Sequence, residues 1–333
     1  MRIKTILLYT GVIVILLVGG LFGAYKYFFG TLTQDTSFQE AVHNASESLS
    51  VTTYEEQSLE DANIKNIAIF GIDSKTSDNG RSDATMILSI DYEHNKIKLC
   101  SIARDTLVYI PEKDVYEKFT HAYAYGGATL AVKTLNTNFN LNITDYVAVN
   151  FSEMAGIVDM LGGVEVDLSA AEIPYIGENA STSGLYAGEN VTLNGEQAVS
   201  YSRIRHLDSD NVRASRQREV MNSIFEKARN MSATQYPGLI REGLSMCTTS
   251  LDYSEIFGFS KILLSDNLTL EQEALPGDDI DAWGGIMSSS GAWCYVYDLR
   301  EASNKLLTFI YEDIYTNSGM DLPEATVDKS FVN

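Results

Sequence analysis

Short apolar segments that alternate with helical ones constrain the fold of this chain more than any other feature. The run from Ile67 to Phe70 is continuous and apolar, as expected of a strand buried on both faces, and it stops at Gly71-Ile72-Asp73. Further strand patterns cover 84–91, 96–103, 145–151 and 164–168, and helical patterns cover 127–139 and 152–163. This alternation predicts a single α/β domain with a mixed central sheet flanked by helices.

The N-terminal segment indicates where the domain is located. Thr5 to Tyr25 contains no charged residue and is long enough to cross the roughly 30 Å hydrocarbon core of a bilayer as a helix. Arg2 and Lys4 precede it, so the positive-inside rule keeps the N-terminus in the cytoplasm. A cleaved signal peptide is the alternative, but its apolar part would be shorter and no A-x-A site follows. We therefore predict a single-pass membrane anchor over residues 1–29 and an extracellular main domain.

The remaining chain divides by composition into a spacer, a domain and a tail. Residues 30–62 are polar and acidic, which predicts an extracellular spacer. The domain is expected over 63–315, with its motifs between about 66 and 228, and residues 316–333 are expected to be a mobile tail. The C-terminal third of the domain has two amphipathic helical patterns and one strand pattern, over 251–264, 302–315 and 291–299.

Arginine is concentrated in one stretch of an otherwise acidic chain. The formal net charge is −21, which argues against a nucleic-acid-binding surface. Residues 201–218, "YSRIRHLDSDNVRASRQR", nevertheless contain five arginines and no lysine. Arginine rather than lysine favours bidentate recognition of carboxylate or phosphate. This stretch therefore predicts an anion-binding site.

The first half of the stretch is expected to be extended, and the second half helical. An extended "YSRIR" would place Tyr201, Arg203 and Arg205 on one face. Apolar residues from 220 to 228 have helical spacing, which predicts a helix that begins at about Asp210.

Two polar residues of that helix project onto its inward face. They are Arg213 and Gln217, which are four residues apart. A buried guanidinium needs a partner. The segment alone leaves open whether that partner is an external anion, or whether Arg213 pairs with Asp208 or Asp210 or lies on a solvated charged face.

Charged residues also follow or precede the predicted strands. Asp73 ends one strand, Arg81 and Asp83 precede the next, and Arg104 and Asp105 follow a third. Each aspartate alone is more typical of a turn or a helix N-cap. Side chains at strand ends beside loops are, however, where α/β folds build their sites. Together these residues form a set of carboxylates and arginines that a metal-bound phosphate would satisfy.

The ordered motifs of the chain resemble those of the LytR-CpsA-Psr family of cell-envelope proteins. The motifs are "NIAIFGID", "GRSDATMILSID", "SIARDTLVYIP", "KFTHAYAYGG", "DYVAVNFSEMAGIVDMLGGVEVDL", "LNGEQAVSYSRIR" and "DNVRASRQ". The resemblance implies an α/β domain with a hydrophobic pocket for a polyprenyl chain, in a bacterium of the Gram-positive type. It also implies transfer of a glycopolymer, of the teichoic acid or capsular polysaccharide type, from a polyprenyl-pyrophosphate carrier to peptidoglycan.

The resemblance assigns roles to individual residues. The acidic pair that holds Mg²⁺ or Mn²⁺ corresponds to Asp73 and Asp83. The phosphate-binding arginines correspond to Arg81, Arg104, Arg203 and Arg205. The remaining substrate-binding positions correspond to Lys118, Asp210, Arg213 and Gln217. Asp73, Asp83, Arg104, Arg203 and Arg205 are the expected catalytic residues. Two departures stand out: Ala103 occupies a position where the family usually has proline, and "DNVR" replaces a commoner Asp-aromatic-Gly-Arg.

Transfer from a lipid pyrophosphate is mainly a problem of positioning and charge stabilisation. By the resemblance, a muramic acid C6 hydroxyl attacks the sugar-side phosphorus and polyprenyl phosphate leaves, with Asp73 or Asp83 as a weak base. A pyrophosphatase would use the same residues with water as acceptor. A non-enzymatic lipid-binding or regulatory protein would need the pocket but not the aspartate pair. A transcription factor conflicts with the anchor and the charge.

Three cysteines complete the sequence-based predictions. An extracellular location permits a disulfide, for which Cys247 and Cys294 are the candidate pair, although the residues leave open whether it forms. Cys100 lies within an apolar strand and is expected to be a small buried hydrophobic residue. The spacing of the cysteines fits no zinc site.

Overall fold

The computed structural model describes residues 35, 37–38, 63–74, 80–205, 207, 210–232, 234–263, 265, 267–311 and 329–332. The predicted membrane anchor, most of the predicted spacer and residues 312–328 lie outside these ranges. Among the residues described, no helix has both the length and the apolar character needed to span a bilayer.

The elements are numbered here in chain order. The strands are β1 (Ile64–Ile72), β2 (Ser82–Asp91), β3 (Lys96–Ile102), β4 (Leu107–Ile110), β5 (Val115–Lys118), β6 (Asp145–Asn150), β7 (Val164–Leu168), β8 (Gly188–Leu193), β9 (Thr248–Thr249), β10 (Thr269–Leu275), β11 (Trp283–Ile286) and β12 (Trp293–Val296). The helices are α1 (Phe119–Phe139), α2 (Phe151–Met160), α3 (Ile173–Ile176), α4 (Gly195–Ser202), α5 (Asp210–Arg229), α6 (Tyr236–Leu244), α7 (Tyr253–Leu263) and α8 (Leu299–Ile310).

The central sheet is mixed, as predicted. In the described part of the chain it has six strands in the order β10-β3-β2-β1-β6-β9. β1 and β3 both pair antiparallel with β2, whereas β1 is parallel to β6 and β3 is parallel to β10. The pairs β4–β5, β7–β8 and β11–β12 form separate ribbons. The ends of β1, β3 and β6 therefore meet the start of β2 at one edge of the sheet.

One face of β1 is buried and the other is partly buried, which explains its continuous apolar sequence. Ala68, Phe70 and Ile72 belong to the largest core, together with buried residues of α1 and α8. Ile67 points to the opposite face, where it joins a smaller core with residues of β2, β3 and α7. A third cluster lies between the β7–β8 ribbon and helices α4 and α5. The α/β architecture with helices on both faces of the sheet matches the prediction.

Two local features were not fully predicted. The helix expected over 127–139 is present, but α1 also has an earlier helical segment from Phe119, and the two are separated by a break at Gly126 and Gly127, where a φ of 63° at Gly127 favours glycine. The "YSRIR" segment is not extended at its start, because Tyr201 and Ser202 end helix α4. That helix starts with a capping box in which Asn194 caps the Gln197 N–H and Gln197 caps the Asn194 N–H.

The disulfide between Cys247 and Cys294 is absent, because both are free thiols, as is Cys100. Cys294 is buried on β12 in the largest core, whereas Cys247 lies just before β9 at one edge of the central sheet. The two thiols thus belong to different parts of the fold. Cys100 is buried within β3, as predicted.

Short segments from outside the 63–311 region pack against the domain. Phe38 is fully buried in the largest core and its ring lies 4.6 Å from that of Tyr146. The Asp35 N–H donates to the carbonyl of Thr249 on β9. At the other end of the chain, Phe331 stacks on Tyr116 with ring centroids 4.8 Å apart. The predicted spacer and tail therefore both contact the domain at these points.

Candidate active site

Charged side chains from three strand ends meet at one edge of the central sheet. The turn between β1 and β2 closes with the Asp73 N–H donating to the Arg81 carbonyl at 2.9 Å. Asp83 lies at the start of β2, and Arg104 follows the end of β3, which is antiparallel to β2. The antiparallel register thus brings together residues that are 20 to 30 positions apart in the sequence.

Asp83 is the centre of an ion-pair network. It is buried, with 8% of its surface exposed, and each of its oxygens accepts a hydrogen bond from an arginine. Arg104 donates to Oδ1 at 2.6 Å and Arg205 donates to Oδ2 at 2.7 Å. Asp105 lies 3.3 Å from Arg104 Nε and 3.0 Å from Lys118 Nζ. Among the described residues of this network, the three cations Arg104, Arg205 and Lys118 share the carboxylates of Asp83 and Asp105.

Arg203 is held by an aromatic ring instead of a carboxylate. Its guanidinium carbon lies 4.2 Å from the centre of the Phe151 ring, a distance at which cation–π attraction is effective. Phe151 is the first residue of α2, whose start is fixed by a capping box between Asn150 and Glu153. Stacking orients the guanidinium plane and leaves its N–H groups available at the rim.

Arg81 and Asp73 form a more open pair on the same side. Their charged atoms are 3.6 Å apart, and 52% of the Arg81 side chain is exposed. Such exposed pairs contribute little to stability because solvent screens them. Both side chains are therefore able to reorient toward a ligand at small energetic cost.

Arg213 and Gln217 face inward from α5, as the helical projection predicted. Arg213 is buried, and the Gln217 side-chain amide donates to the Ser202 carbonyl at 3.5 Å. Asp210 is the first residue of α5, but its side chain lies outside the described residues, as does Asp208. The alternative of an ion pair between Arg213 and one of these aspartates therefore stays open.

An apolar pocket opens beside these charges. It encloses about 740 Å³, including open solvent at its mouth. Its walls come from the sheet and from helices α2, α4 and α5: Ile69, Met86, Val149, Met154, Val199, Val220 and Met221. Charged groups lie at one part of the lining: Asp83, Arg203, Arg205 and Arg213. A long apolar chain with an anionic head is the type of ligand that this arrangement fits.

A second, polar pocket of about 590 Å³ adjoins the first. It shares Asp83, Arg203 and Arg205 with the apolar pocket, so these three side chains separate the two spaces. The rest of its lining includes Asp73, Ser200 and three residues at or just after α3, namely Tyr175, Glu178 and Asn179. These last three residues were not among the predicted site residues, because no motif or periodicity marks the loop between β7 and β8.

The donor set at the edge of the sheet fits a divalent cation of the Mg²⁺ type. Asp73 and Asp83 line the same polar pocket, and each carboxylate oxygen keeps a lone pair beyond the one used by an arginine. Mg²⁺ prefers a few carboxylates supplemented by phosphate oxygens and water. Within the described residues no group of three or more His, Cys, Asp or Glu side chains forms a metal site.

Comparison with known proteins identifies relatives over nearly the whole chain. The LytR_cpsA_psr family model matches residues 27–307. The chain is 29% identical over 311 residues to a polyisoprenyl-teichoic acid–peptidoglycan teichoic acid transferase, TagU, from Bacillus cereus. That match covers 92% of this chain and 96% of the relative.

Solved structures support the same relationship. A structure of TagT bound to LIIa-WTA is similar with a TM-score of 0.62 and 26% identity, over 74% of this chain and 91% of TagT. A structure of the same protein with bound octaprenyl pyrophosphate lipid has a TM-score of 0.58 at 25% identity, over 74% of this chain and 90% of TagT.

Proposed function

This chain belongs to the LytR-CpsA-Psr family, and from that premise we propose that it transfers a glycopolymer from a polyprenyl-pyrophosphate carrier to peptidoglycan. The glycopolymer is of the teichoic acid or capsular polysaccharide type. The observation that carries the proposal is the junction of an apolar pocket with Arg203, Arg205 and Arg213. This junction matches a carrier with an apolar chain and a doubly charged head.

Binding of the carrier follows from the two parts of the junction. The polyprenyl chain occupies the apolar pocket, where each buried methylene contributes about 0.8 kcal/mol. The pyrophosphate lies at the arginines, whose planar donors form paired hydrogen bonds to phosphate oxygens. Asp83 holds Arg104 and Arg205 in place before the substrate arrives. Little reorganisation is then needed when charge develops in the transition state.

The reaction is a displacement at the sugar-side phosphorus. The acceptor hydroxyl oxygen forms a new bond to this phosphorus, and the bond from phosphorus to the bridging oxygen breaks. The bridging oxygen leaves with the polyprenyl phosphate. Asp73, which lines the polar pocket and has a partly exposed carboxylate, accepts the hydroxyl proton.

Asp73 and Asp83 are also the residues that would hold Mg²⁺ or Mn²⁺. When bound, the cation supplies positive charge to the pyrophosphate oxygens. The fit of two hard carboxylates beside phosphate-binding arginines supports this assignment.

The proposal includes a single-pass membrane anchor at Thr5–Tyr25. Its support is the uncharged sequence of that segment and the basic residues before it. The anchor places the domain on the extracellular side of the cell membrane, where carrier lipid and peptidoglycan meet. A bacterium of the Gram-positive type fits this arrangement.

The test uses the full chain in detergent micelles or nanodiscs, with Mg²⁺, a synthetic polyprenyl-pyrophosphate sugar and peptidoglycan oligomers. Mass spectrometry of the products is expected to show a phosphodiester-linked sugar on the glycan. This adduct is expected to be lost in Asp73→Ala and Arg203→Ala, but kept in Arg229→Ala, which removes a half-exposed arginine at the last position of α5. Sugar phosphate without an adduct would support the pyrophosphatase instead. Binding of the lipid without turnover would support a non-enzymatic lipid-binding protein.

A further inference from the structure

We infer that the polar pocket beside the arginines is the site for the acceptor glycan, and that Glu178 and Asn179 bind its sugars. This inference rests on the proposed transfer and adds a substrate site to it. It concerns residues outside every motif that the sequence analysis identified.

The first step is the relative placement of the two pockets. Asp83, Arg203 and Arg205 line both of them, so the pyrophosphate that these arginines bind lies between the apolar and the polar space. The polyprenyl chain occupies the apolar side. The polar pocket therefore lies on the side of the reacting phosphorus that is opposite the polyprenyl chain.

The second step is the geometry of the displacement. In phosphoryl transfer the attacking and leaving oxygens are roughly in line through the phosphorus. The leaving group is polyprenyl phosphate, whose chain extends into the apolar pocket. The attacking hydroxyl must then approach from the opposite direction, which is the polar pocket. Asp73, the proposed proton acceptor, lines this pocket and not the apolar one.

The third step is the chemistry of the remaining wall. Tyr175, Glu178 and Asn179 come from the end of α3 and the residues after it. Glu178 and Asn179 are exposed, and neither side chain has a hydrogen-bond partner among the described residues. A carboxylate, a carboxamide and an aromatic ring supply acceptors, donors and an apolar face. This is the combination that binds hydroxyl-rich and N-acetylated sugars.

The short helix α3 is held rigidly enough to present these groups. The Arg216 Nε donates to Glu172 Oε1 at 2.6 Å in a buried pair. Ser200 Oγ, on α4, donates to the Ile176 carbonyl at 3.0 Å. Helix α4 ends at the residue before Arg203. The same helix therefore holds both the proposed sugar-binding residues and the phosphate-binding arginines in position.

The experiment compares wild type with the double variant Glu178→Gln, Asn179→Ala in the transfer assay described above. The KM for peptidoglycan oligomers is expected to rise about tenfold or more, since hydrogen bonds from a charged and a neutral group are lost. The kcat at saturating acceptor and the Kd for octaprenyl pyrophosphate are expected to stay unchanged. The matched control is Glu189→Gln, an exposed carboxylate on β8 outside both pockets, for which all three quantities should equal those of wild type.

Three measurements separate the outcomes. If the double variant has the same KM for acceptor as wild type, the inferred acceptor site is wrong. The proposed function is unaffected in that case, as long as wild type transfers the glycopolymer. A double variant that binds the sugar-bearing carrier more weakly, but octaprenyl pyrophosphate normally, would assign the pocket to the donor sugar and also overturn the inference. Absence of transfer by wild type would contradict the proposed function, not the acceptor site. In that case, titration of a peptidoglycan-derived tetrasaccharide into wild type and double variant, followed by NMR, still tests the site, and equal affinities would reject it.

Discussion

At the scale of single residues, the site depends on arginines whose orientation is set by other side chains. Arg205 is fixed by the buried Asp83, while Arg203 is fixed by the Phe151 ring. Arg104 is held between Asp83 and Asp105. Lysine has a compact ammonium group that cannot form these paired or stacked contacts. The residue type therefore matters as much as the charge.

Substitution of Arg205 tests this point directly. We expect Arg205→Ala to lower kcat/KM for transfer by about ten- to a hundredfold, the value of one or two charge-assisted hydrogen bonds. Arg205→Lys should recover only part of this loss, because lysine replaces the charge but not the planar donor pair. Steady-state kinetics with varied carrier concentration provide the measurement. Full activity of Arg205→Lys would show that charge alone is sufficient.

A buried ion pair outside the pockets supports the same arginines. Arg216 pairs with Glu172, and its guanidinium lies 3.5 Å from the carbonyl of Ile204, which separates Arg203 from Arg205. We expect Glu172→Gln to lower the free energy of unfolding by about 3–5 kcal/mol, because it neutralises one member of a buried ion pair. Urea denaturation checks this value. The double variant Glu172→Leu, Arg216→Met should regain most of the stability, and a double variant as unstable as the single one would argue against an electrostatic cause.

At the scale of elements, the helices and strands with strong periodicity were predicted from the sequence, whereas those that depend on local capping were not. The continuous apolar run of β1 and the amphipathic spacing of α5 were identified correctly. Helix α4 was not predicted, because eight residues show little periodicity. Its capping box at Asn194 and Gln197 was a signal available in the sequence. The short ribbons β4–β5 and β7–β8 depend on tertiary pairing, which single-segment patterns do not show.

The position of α4 depends on a close approach to α2. A Cβ added to Gly195 would lie 2.1 Å from the carbonyl oxygen of Ala155. We expect Gly195→Ala to destabilise the protein by about 1–3 kcal/mol through overpacking, and to reduce transfer because Arg203 follows this helix. Denaturant midpoints and transfer rates are the measurements.

Gly238 in α6 is the matched control for this substitution. A Cβ at Gly238 meets no atom within 4 Å. Alanine there should stabilise the helix by up to about 1 kcal/mol, because glycine is a poor helix former. Equal effects of Gly195→Ala and Gly238→Ala would contradict the packing argument.

At the scale of the whole molecule, the clustering of several candidate site residues was predictable and their surroundings were not. The resemblance named the arginines and aspartates, and the structure brings Asp73, Asp83, Arg203 and Arg205 to one polar pocket. The wall formed by Glu178 and Asn179 depends on how the loop after β7 folds over α4. No local pattern in the sequence contains that information.

Whether the cysteines form a disulfide depends on which parts of the fold lie close together, and in this fold all three are free thiols. Burial raises the pKa of Cys247 to about 12 and that of Cys294 to about 11. Burial likewise raises the pKa of Cys100. At pH 8 all three groups therefore remain protonated thiols, and reactivity should increase only as the pH rises toward 11.

Alkylation checks this prediction for protein handled without reductant. We expect slow labelling of the native protein at pH 8 and rapid labelling of three thiols in guanidinium. Only one reactive thiol in guanidinium, with two more after reduction, would indicate a disulfide and contradict the structure.

The segment before the domain is part of its core, which changes where a stable fragment begins. Phe38 is fully buried against Tyr146, and the Tyr146 hydroxyl donates to Asp35 at 2.9 Å. With the proposed anchor ending at residue 29, only five residues separate it from Asp35, a span of at most about 22 Å. The domain is then held close to the membrane surface instead of being raised by a long spacer. A carrier lipid in the bilayer lies within a short distance of such a domain.

A comparison of two fragments tests this arrangement. A fragment from residue 30 retains Phe38, whereas one from residue 63 lacks it and leaves the Tyr146 ring uncovered. We expect the shorter fragment, and the longer one with Phe38→Ala, each to lose about 3–5 kcal/mol of unfolding free energy, the usual effect of removing a buried phenylalanine. Phe38→Leu should lose less, because it keeps most of the buried volume. Equal urea midpoints for the two fragments would mean that the segment does not dock, and the domain would then be free to lie farther from the membrane.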